Sequence, residues 1–298
     1  MTTPPPRPTF RFAPSPNGAL HLGHAYSALM NQRLAAEVRG RLLLRIEDLD
    51  RTRCKREYEQ AILDDLNWLG LVFDGPPRRQ SEHGQDYAGA LACLSARGLV
   101  YPCFCSRARI AATAGRARDP DGAPLYSGLC RALEARDVAA RLAAGERAAL
   151  RLDAARALAE APADLCWPEY GEGAREAPHR ADPAAWGDFV LRGKDSAASY
   201  HLAVVVDDAL QGVSDVVRGR DLLAATSAHR LLQALLGLAA PRYRHHRLVL
   251  DAKGAKMSKS ASSPPLRALR AAGYSALEVR AALGFAAPNE SRLTVSFS

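Results

Sequence analysis

The first fifty residues alternate between structural types in an order that restricts the fold. Thr9 to Ala13 alternates polar and apolar residues, as a short strand does, and the loop that follows contains two prolines, an asparagine and a glycine. From His21 the apolar residues have helical spacing until Gly40, and the compact apolar run RLLLRIED then predicts a buried strand. Strand, loop, helix and strand within about forty residues form a βαβ unit. We therefore predict an α/β fold built on a parallel sheet.

The remainder of the chain divides where regular helix and strand patterns give way to Pro/Gly-rich loops and later return. Two amphipathic helices are predicted in REYEQAILDDLNWLGL and QDYAGALACLSARGL, followed by short apolar runs between Pro/Gly-rich loops. Regular α/β character returns with SYHLAVVVDDAL, which we predict to be a strand, and with a helix in DLLAATSAHRLLQALLGL. We expect one domain split into residues 1–98 and 195–250, an inserted subdomain at 99–194, and a loop with a short helical segment at 251–298.

Composition limits the class of protein. The hydrophobic fraction of 48% is ordinary for a globular protein, and no apolar stretch approaches the length of a membrane span. The N-terminal MTTPPPRPTF lacks the apolar core of a secretory signal, so we expect a cytoplasmic protein without membrane contact. The net charge of +8 suits a polyanionic partner, although arginine is spread over the whole chain. Six cysteines in such a chain argue against a disulfide framework.

Two short motifs carry groups that can bind phosphate. Three of the five lysines fall in DAKGAKMSKS, at Lys253, Lys256 and Lys259, and a loop of point charges suits a polyphosphate. Near the other end, HLGH places His21 and His24 on one face of the first turn of a helix, the end that carries free N–H groups and positive partial charge. Each motif alone is also compatible with a solvated loop or half-buried histidines. Together they predict a site for a polyphosphate.

The ordered motifs resemble those of class I aminoacyl-tRNA synthetases, in particular the glutamyl/glutaminyl subgroup. RFAPSPNGALHLGHA, RIEDLDRTR, GLVYPCFCS, YHLAVVVDDALQGVSDVVRG and KMSKS match that subgroup in order between residues 11 and 260. The resemblance implies a Rossmann-type catalytic domain and a reaction in which a carboxylate attacks the α-phosphorus of ATP bound with Mg²⁺. Positioned cations stabilise such a transition state without a protein nucleophile. The implied catalytic and ATP-binding residues are His21, Gly23, His24, Lys256 and Lys259.

The same resemblance implies a pocket for L-glutamate. Arg11 and Arg218 match positions that hold the substrate side-chain carboxylate, and a planar guanidinium suits a carboxylate. Glu47 is expected to pair with the α-ammonium group, and Tyr200 to line the pocket. Without the motif context, Glu47 or Arg218 alone is more typical of a surface salt bridge. The expected glutamate-binding residues are Arg11, Phe12, Ala13, Pro14, Ser15, Glu47, Tyr200 and Arg218.

Three cysteines indicate a metal site in the inserted subdomain. Cys103, Cys105 and Cys130 supply three thiolates, one ligand short of a tetrahedral zinc site. The resemblance implies Tyr126 as the fourth ligand, while a water molecule or Cys166 could also take that place, and three buried thiols without metal remain an alternative. We predict one structural Zn²⁺ per chain.

The C-terminal part of the sequence bears on the substrate. Only two short helical patterns follow KMSKS, whereas discriminating synthetases of the subgroup carry large anticodon-binding domains there. The chain therefore resembles the shortened glutamyl-queuosine tRNA(Asp) synthetases, which implies transfer of glutamate to the queuosine base of tRNA(Asp). Separately, we expect a monomer. Two alternatives are a short glutamyl- or glutaminyl-tRNA synthetase that charges the 3′ end, and a catalytically inactive tRNA-binding paralogue.

Overall fold

A computed structural model of the protein describes residues 6–171, 176–251, 254, 257, 264–287 and 291–298. Its strands in chain order are β1 (Thr9–Phe12), β2 (Arg41–Ile46), β3 (Arg78–Arg79), β4 (Val100–Cys103), β5 (Ala149–Leu152), β6 (Cys166–Tyr170), β7 (Glu176–Arg180), β8 (Val190–Arg192), β9 (Asp215–Gly219), β10 (Arg242–His246), β11 (Val249–Leu250) and β12 (Ser296–Phe297). Its α-helices are α1 (Leu22–Glu37), α2 (Arg56–Trp68), α3 (Gly84–Ala96), α4 (Arg107–Thr113), α5 (Ala135–Ala143), α6 (Ala154–Glu160), α7 (Tyr200–Leu210), α8 (Ala225–Leu235), α9 (Leu266–Ala271) and α10 (Ala276–Ala282).

The main sheet has the strand order β3-β2-β1-β9-β10-β6-β7. β1 and β2 pair in parallel, and α1 connects them, so the predicted βαβ unit is confirmed. Phe10, Leu29 and Leu44 are buried in one core cluster, where α1 packs on β1 and β2. β9 and β10 continue the sheet in parallel on the other side of β1. The predicted α/β fold with a parallel sheet is thus correct.

The segment predicted as an insertion contributes to two sheets. β4, β5 and β8 form a separate antiparallel sheet. The antiparallel hairpin of β6 and β7 instead extends the edge of the main sheet, where β6 pairs in parallel with β10. Part of the 99–194 segment therefore belongs physically to the main sheet, and the division of the chain into domains stays a prediction.

The strand predicted in SYHLAVVVDDAL is wrong, because this segment forms the helix α7. Its residues 202–208 are all buried, so the apolar run covers every face of the helix and loses the amphipathic spacing that identifies helices. The hydroxyl of Ser199 caps the helix by accepting a hydrogen bond from the Leu202 N–H. One buried cluster includes residues of α1 and the other includes residues of α7, and residues of both helices line a cavity at the carboxyl ends of the central strands.

The C-terminal part returns to the sheet. α9 and α10 confirm the two helices predicted there, and β12 pairs antiparallel with β11. The N–H of Leu266 donates to the Leu20 carbonyl, so α9 begins beside the loop that precedes α1. In the part of the chain that the structure describes, no helix is both long and apolar enough to cross a membrane.

Candidate active site

A cavity of about 570 Å³ opens at the carboxyl ends of β1, β2 and β9. In a parallel sheet, ligands bind where the chain connections change direction, and here β2 and β9 lie on opposite sides of β1. Lys256 and Lys259 lie outside the described residues, whereas Met257 between them lines the cavity. Every other predicted catalytic, ATP-binding and glutamate-binding residue lines it as well: Arg11, Phe12, Ala13, Pro14, Ser15, His21, Gly23, His24, Glu47, Tyr200 and Arg218.

The histidines of HLGH form the first turn of α1. His21 is the N-cap, and its Nδ1 accepts a hydrogen bond from the Gly23 N–H (3.1 Å), while Nδ1 of His24 accepts from the His21 N–H (3.2 Å). The two imidazoles therefore satisfy N–H groups that a helix end otherwise leaves without partners. Their ring centroids lie 3.8 Å apart. The turn is a compact, preformed imidazole pair at the cavity wall.

Gly23 is closely packed in this turn. A Cβ at this position would lie 3.0 Å from Cε1 of His21 and 4.0 Å from Cβ of Met257. The N–H of Met257 donates to the Val249 carbonyl (3.2 Å), so the lysine-bearing segment contacts the cavity wall at this residue. Met257 is buried. Met257 thus lies beside the HLGH turn in the lining of the cavity.

Arg218 is a buried cation surrounded by neutral groups. Its Nη2 donates to the Thr226 hydroxyl (2.6 Å) and its Nη1 to the Tyr200 hydroxyl (3.2 Å). Its Nη1 lies 3.3 Å from Nδ1 of His229, and its Nε lies 3.3 Å from Nε2 of His245. Among the described residues, no carboxylate lies within ion-pair distance of Arg218. A buried cation without a counter-charge is costly, so an anionic ligand at this position is favoured.

Arg11, in contrast, is held by a carboxylate. Its Nε donates to Oδ1 of Asp208 (3.1 Å), which also accepts a hydrogen bond from the buried Arg45. Burial raises the pKa of Asp208, but the charges of Arg11 and Arg45 outweigh it and hold that pKa below its ordinary value. Two cations share this one carboxylate, although Asp207 also lies 4.0 Å from Arg45. Among the described residues, Arg11, unlike Arg218, therefore already has a carboxylate partner within the protein.

Glu47 is a carboxylate with an altered proton affinity. It follows β2 directly, and burial raises its pKa to about 7, against the opposing charges of Arg45 and Arg11. Its backbone N–H donates to the Pro14 carbonyl (3.1 Å), which fixes it beside the loop after β1. The ionised form of Glu47 is thus stabilised by any cation that enters the cavity.

The three cysteines predicted as metal ligands come together, as the sequence predicts. The Sγ atoms of Cys103, Cys105 and Cys130 all lie within 4.8 Å of one another. The hydroxyl of Tyr126 lies 3.8 Å from Sγ of Cys105 and accepts a hydrogen bond from the Cys130 N–H (2.8 Å). Cys166, the alternative fourth ligand, lies on β6 and is not part of this group. Tyr126 is therefore the side chain best placed to complete the set.

The pKa values of two of these thiols are shifted in opposite directions. Burial raises the pKa of the Cys105 thiol, and the hydrogen bond with Cys130 raises it further. For Cys130, burial raises the pKa, but hydrogen bonds from Tyr126 and the Phe104 amide outweigh it and lower the pKa overall. A soft cation that replaces these protons would be bound by three thiolates, the donor type that zinc prefers.

Sequence reasoning missed the residues that hold the cavity arginines. Asp208 lies within the matched segment YHLAVVVDDALQGVSDVVRG but was given no role, and Thr226, His229 and His245 come from α8 and β10, outside the matched motifs. One signal was present: Asp208 follows Tyr200 by two helical turns, so both occupy one face of α7 once that segment is treated as a helix. Isolated histidines such as His229 carry no comparable pattern.

Comparison with known proteins agrees with this geometry. The profile of the family described as tRNA synthetases class I (E and Q), catalytic domain, matches residues 9–285. The chain is 43% identical to a glutamyl-Q tRNA(Asp) synthetase of Rhodobacter capsulatus, over 92% of this chain and 99% of that protein. It is 40% identical to glutamate–tRNA ligase 2 of Nitrosococcus oceani, over 89% of this chain but 56% of that protein.

Solved structures give the same result. A glutamate tRNA ligase from Elizabethkingia meningosepticum, in complex with its amino acid, superposes with a TM-score of 0.69 at 27% identity. The superposition covers 90% of this chain and 53% of that one, so the chain spans about half the length of that ligase. Methionyl-tRNA synthetase of Mycobacterium tuberculosis shares the fold at 14% identity, with a TM-score of 0.55. The chain therefore belongs to the class I tRNA synthetases of the E and Q group, a family of ligases, together with the curated glutamyl-Q tRNA(Asp) synthetases.

Proposed function

We propose that the protein activates L-glutamate with ATP and transfers it to the queuosine base in the anticodon loop of tRNA(Asp). The observation that carries the glutamate assignment is Arg218, a buried guanidinium at the cavity with only neutral partners among the described residues. A substrate carboxylate would supply the missing counter-charge. Glutamine has no such charge, so this site favours glutamate.

The cavity offers a complementary group for each end of glutamate. Arg218 and Arg11 face the side-chain carboxylate, and Glu47 attracts the α-ammonium group. The α-carboxylate then attacks the α-phosphorus of ATP, pyrophosphate leaves, and a glutamyl-adenylate forms. His21 and His24 lie at the same cavity and would contact the ATP phosphates, while Lys256 and Lys259 would neutralise the charge that develops on them together with Mg²⁺.

The acceptor is inferred from the relatives' names. The curated relatives of Rhodobacter capsulatus, Nitratidesulfovibrio vulgaris and Symbiobacterium thermophilum are all named glutamyl-Q tRNA(Asp) synthetase, at 39–43% identity. Queuosine carries a cyclopentene diol that resembles the ribose diol of a tRNA 3′ end. One of its hydroxyls would attack the acyl carbon of the adenylate, which forms an ester and releases AMP.

We also propose one structural Zn²⁺ at Cys103, Cys105, Tyr126 and Cys130. Three thiols and a phenol that converge within the 99–194 segment fit this ion chemically. Zinc would contribute folding free energy to this segment. These ligands lie on β4 and on the loops that follow it, outside the group of residues that line the central cavity, so no chemical step is assigned to the ion.

Two assays test the proposed activity. Glutamate-dependent ATP–pyrophosphate exchange is expected without tRNA, and a requirement for tRNA would favour a short glutamyl- or glutaminyl-tRNA synthetase. Labelled glutamate should then attach to queuosine-containing tRNA(Asp) and not to queuosine-free tRNA(Asp). Equal labelling of both, or loss of the label when the 3′ terminal adenosine is removed, would overturn the proposed acceptor. Absence of both reactions would favour the remaining alternative, a catalytically inactive tRNA-binding paralogue.

A further inference from the structure

A hydrogen-bonded relay crosses three neighbouring strands behind Arg218. Arg218 on β9 and His245 on β10 are register partners, and β10 pairs with β6, which carries Glu169. Nε of Arg218 lies 3.3 Å from Nε2 of His245, and Nδ1 of His245 lies 2.9 Å from Oε2 of Glu169. The carboxylate is fixed by two further donors, the His245 backbone N–H to Oε1 (2.8 Å) and Trp167 Nε1 to Oε2 (2.9 Å).

These contacts determine the protonation of the imidazole. Arginine can only donate, so Nε2 of His245 must accept from Arg218, and the ring proton lies on Nδ1, where it is donated to Glu169. A second proton, on Nε2, would set an N–H against the N–H of Arg218. The Thr226 hydroxyl also lies 3.0 Å from Nε2, and since it accepts from Arg218 it can donate its own proton to this nitrogen. Glu169 is the group that selects this tautomer, since an ionised carboxylate accepts and cannot donate.

A second imidazole contacts Arg218 in the same manner. Nδ1 of His229 must accept from Arg218, and its Nε2 lies 3.2 Å from Nδ1 of His201. No carboxylate is bonded to this second pair among the described residues. Of the two imidazoles that hold Arg218, only His245 is therefore connected to a negative charge.

We propose that Glu169 is a positioning residue for amino-acid specificity, which acts through His245 to orient Arg218 towards the substrate carboxylate. This inference rests on the proposed activation of glutamate. A carboxylate in direct contact with Arg218 would neutralise it and compete with the substrate. Held one imidazole away, the negative charge of Glu169 stabilises the buried cation while the cavity side of Arg218 stays available for glutamate.

The variant Glu169→Gln breaks the relay with little change in shape. The amide has one accepting oxygen and one donating NH₂, but all three groups that contact Glu169 are donors. If the NH₂ faces Nδ1 of His245, the ring proton moves to Nε2 and opposes Arg218. If it faces the backbone N–H instead, that donor loses its partner. Both arrangements remove the negative charge behind Arg218 without removing any cavity residue, and the first also reverses the tautomer of His245.

The test measures ATP–pyrophosphate exchange with the full-length protein. For Glu169→Gln we expect the KM for glutamate to rise about tenfold, the scale of one hydrogen bond to a charged group, while the KM for ATP stays within about twofold. The preference for glutamate over glutamine should fall by a similar factor. Glu169→Asp keeps the charge and should recover part of the loss. The matched control is Glu160→Gln, which removes a surface carboxylate paired with Arg97 far from the cavity.

A spectroscopic readout separates the possible failures. Imidazole ¹⁵N shifts should place the His245 proton on Nδ1 in the unaltered protein, whether or not any reaction occurs, and in Glu169→Gln they show which of the two amide arrangements is adopted. A proton on Nε2 in the unaltered protein would contradict the relay. If the unaltered protein shows no glutamate-dependent exchange, the proposed function fails. If it does, and a folded Glu169→Gln variant retains its KM for glutamate and its amino-acid preference, Glu169 has no positioning role.

Discussion

The central cavity and the cysteine cluster satisfy their polar groups in different ways. In the cavity, Arg218 and Arg11 are held by several side chains of the protein itself, so their positions do not depend on a ligand. In the cluster, the thiols of Cys105 and Cys130 contact each other at 3.5 Å, and once ionised they repel. Loss of a ligand should therefore affect catalysis at the cavity and folding at the cluster.

The largest expected effect is at the cluster. Cys103→Ser removes a buried thiolate, and we expect the zinc content to fall from one per chain to near zero and the 99–194 segment to lose several kcal/mol of stability, since structural zinc contributes about 10–16 kcal/mol in small domains. Metal analysis and thermal unfolding measure this. Cys93→Ser, an exposed thiol on α3, is the matched control. Unchanged metal content in Cys103→Ser would contradict the site.

A smaller effect, confined to catalysis, is expected at the cavity. Arg218→Ala removes the cation proposed to bind the substrate carboxylate, and we expect kcat/KM for glutamate in the exchange assay to fall by a factor of several hundred, about 3–4 kcal/mol. The KM for ATP and the thermal midpoint should change little, because Arg218 is assigned to the amino acid and because loss of a buried cation relieves a desolvation cost that offsets the hydrogen bonds lost with it. Arg97→Ala, which breaks a surface pair with Glu160, serves as the control. Near-normal exchange by Arg218→Ala would refute the pocket assignment.

The next effect is a pH dependence of kcat/KM for glutamate, caused by the titration of Glu47 in the cavity. Burial raises the pKa of Glu47 to about 7, so its carboxylate is ionised above this pH and protonated below it. Because the proposed partner is an ammonium group, kcat/KM for glutamate should fall as the pH falls through 7, by about tenfold between pH 8 and pH 6. Glu47→Gln should be weakly active, with a flat profile over this range. The same profile in both proteins would assign the titration to another group.

The local parts of the cavity were predictable from the sequence, and their supports were not. His21, Gly23 and His24 lie within one helical turn, so their spacing alone places them together. Arg218 contacts His245, and through it is linked to Glu169, only because β9, β10 and β6 are neighbours in the sheet. No local spacing specifies such a contact. The motif resemblance predicted which side chains face the cavity, but the groups that orient them depend on strand order.

The fold, like the cavity, was predictable where the elements are contiguous in sequence. The unit of β1, α1 and β2 is contiguous in sequence, and its prediction was correct. α7 was mistaken for a strand because burial on every side removes the polar face that distinguishes a helix. The cysteine cluster was predicted because its ligands are chemically distinctive, although the hydrogen bond from the Cys130 N–H to Tyr126 depends on a turn that spacing does not specify.

The smallest expected effect separates the two side chains that could serve as the fourth zinc ligand, Tyr126 and Cys166. In Tyr126→Phe the three thiolates remain and a water molecule can complete the tetrahedron, so we expect zinc to stay bound with an affinity lowered by at most about tenfold. Competition with a chelator measures this. Cys166→Ser should leave the affinity unchanged, since Cys166 lies on β6, outside the thiol group. The opposite result, in which Cys166→Ser weakens zinc and Tyr126→Phe does not, would mean that the cluster recruits a ligand from the main sheet. Zinc binding by Cys166 would then couple the folding of the cysteine cluster to that of the main sheet.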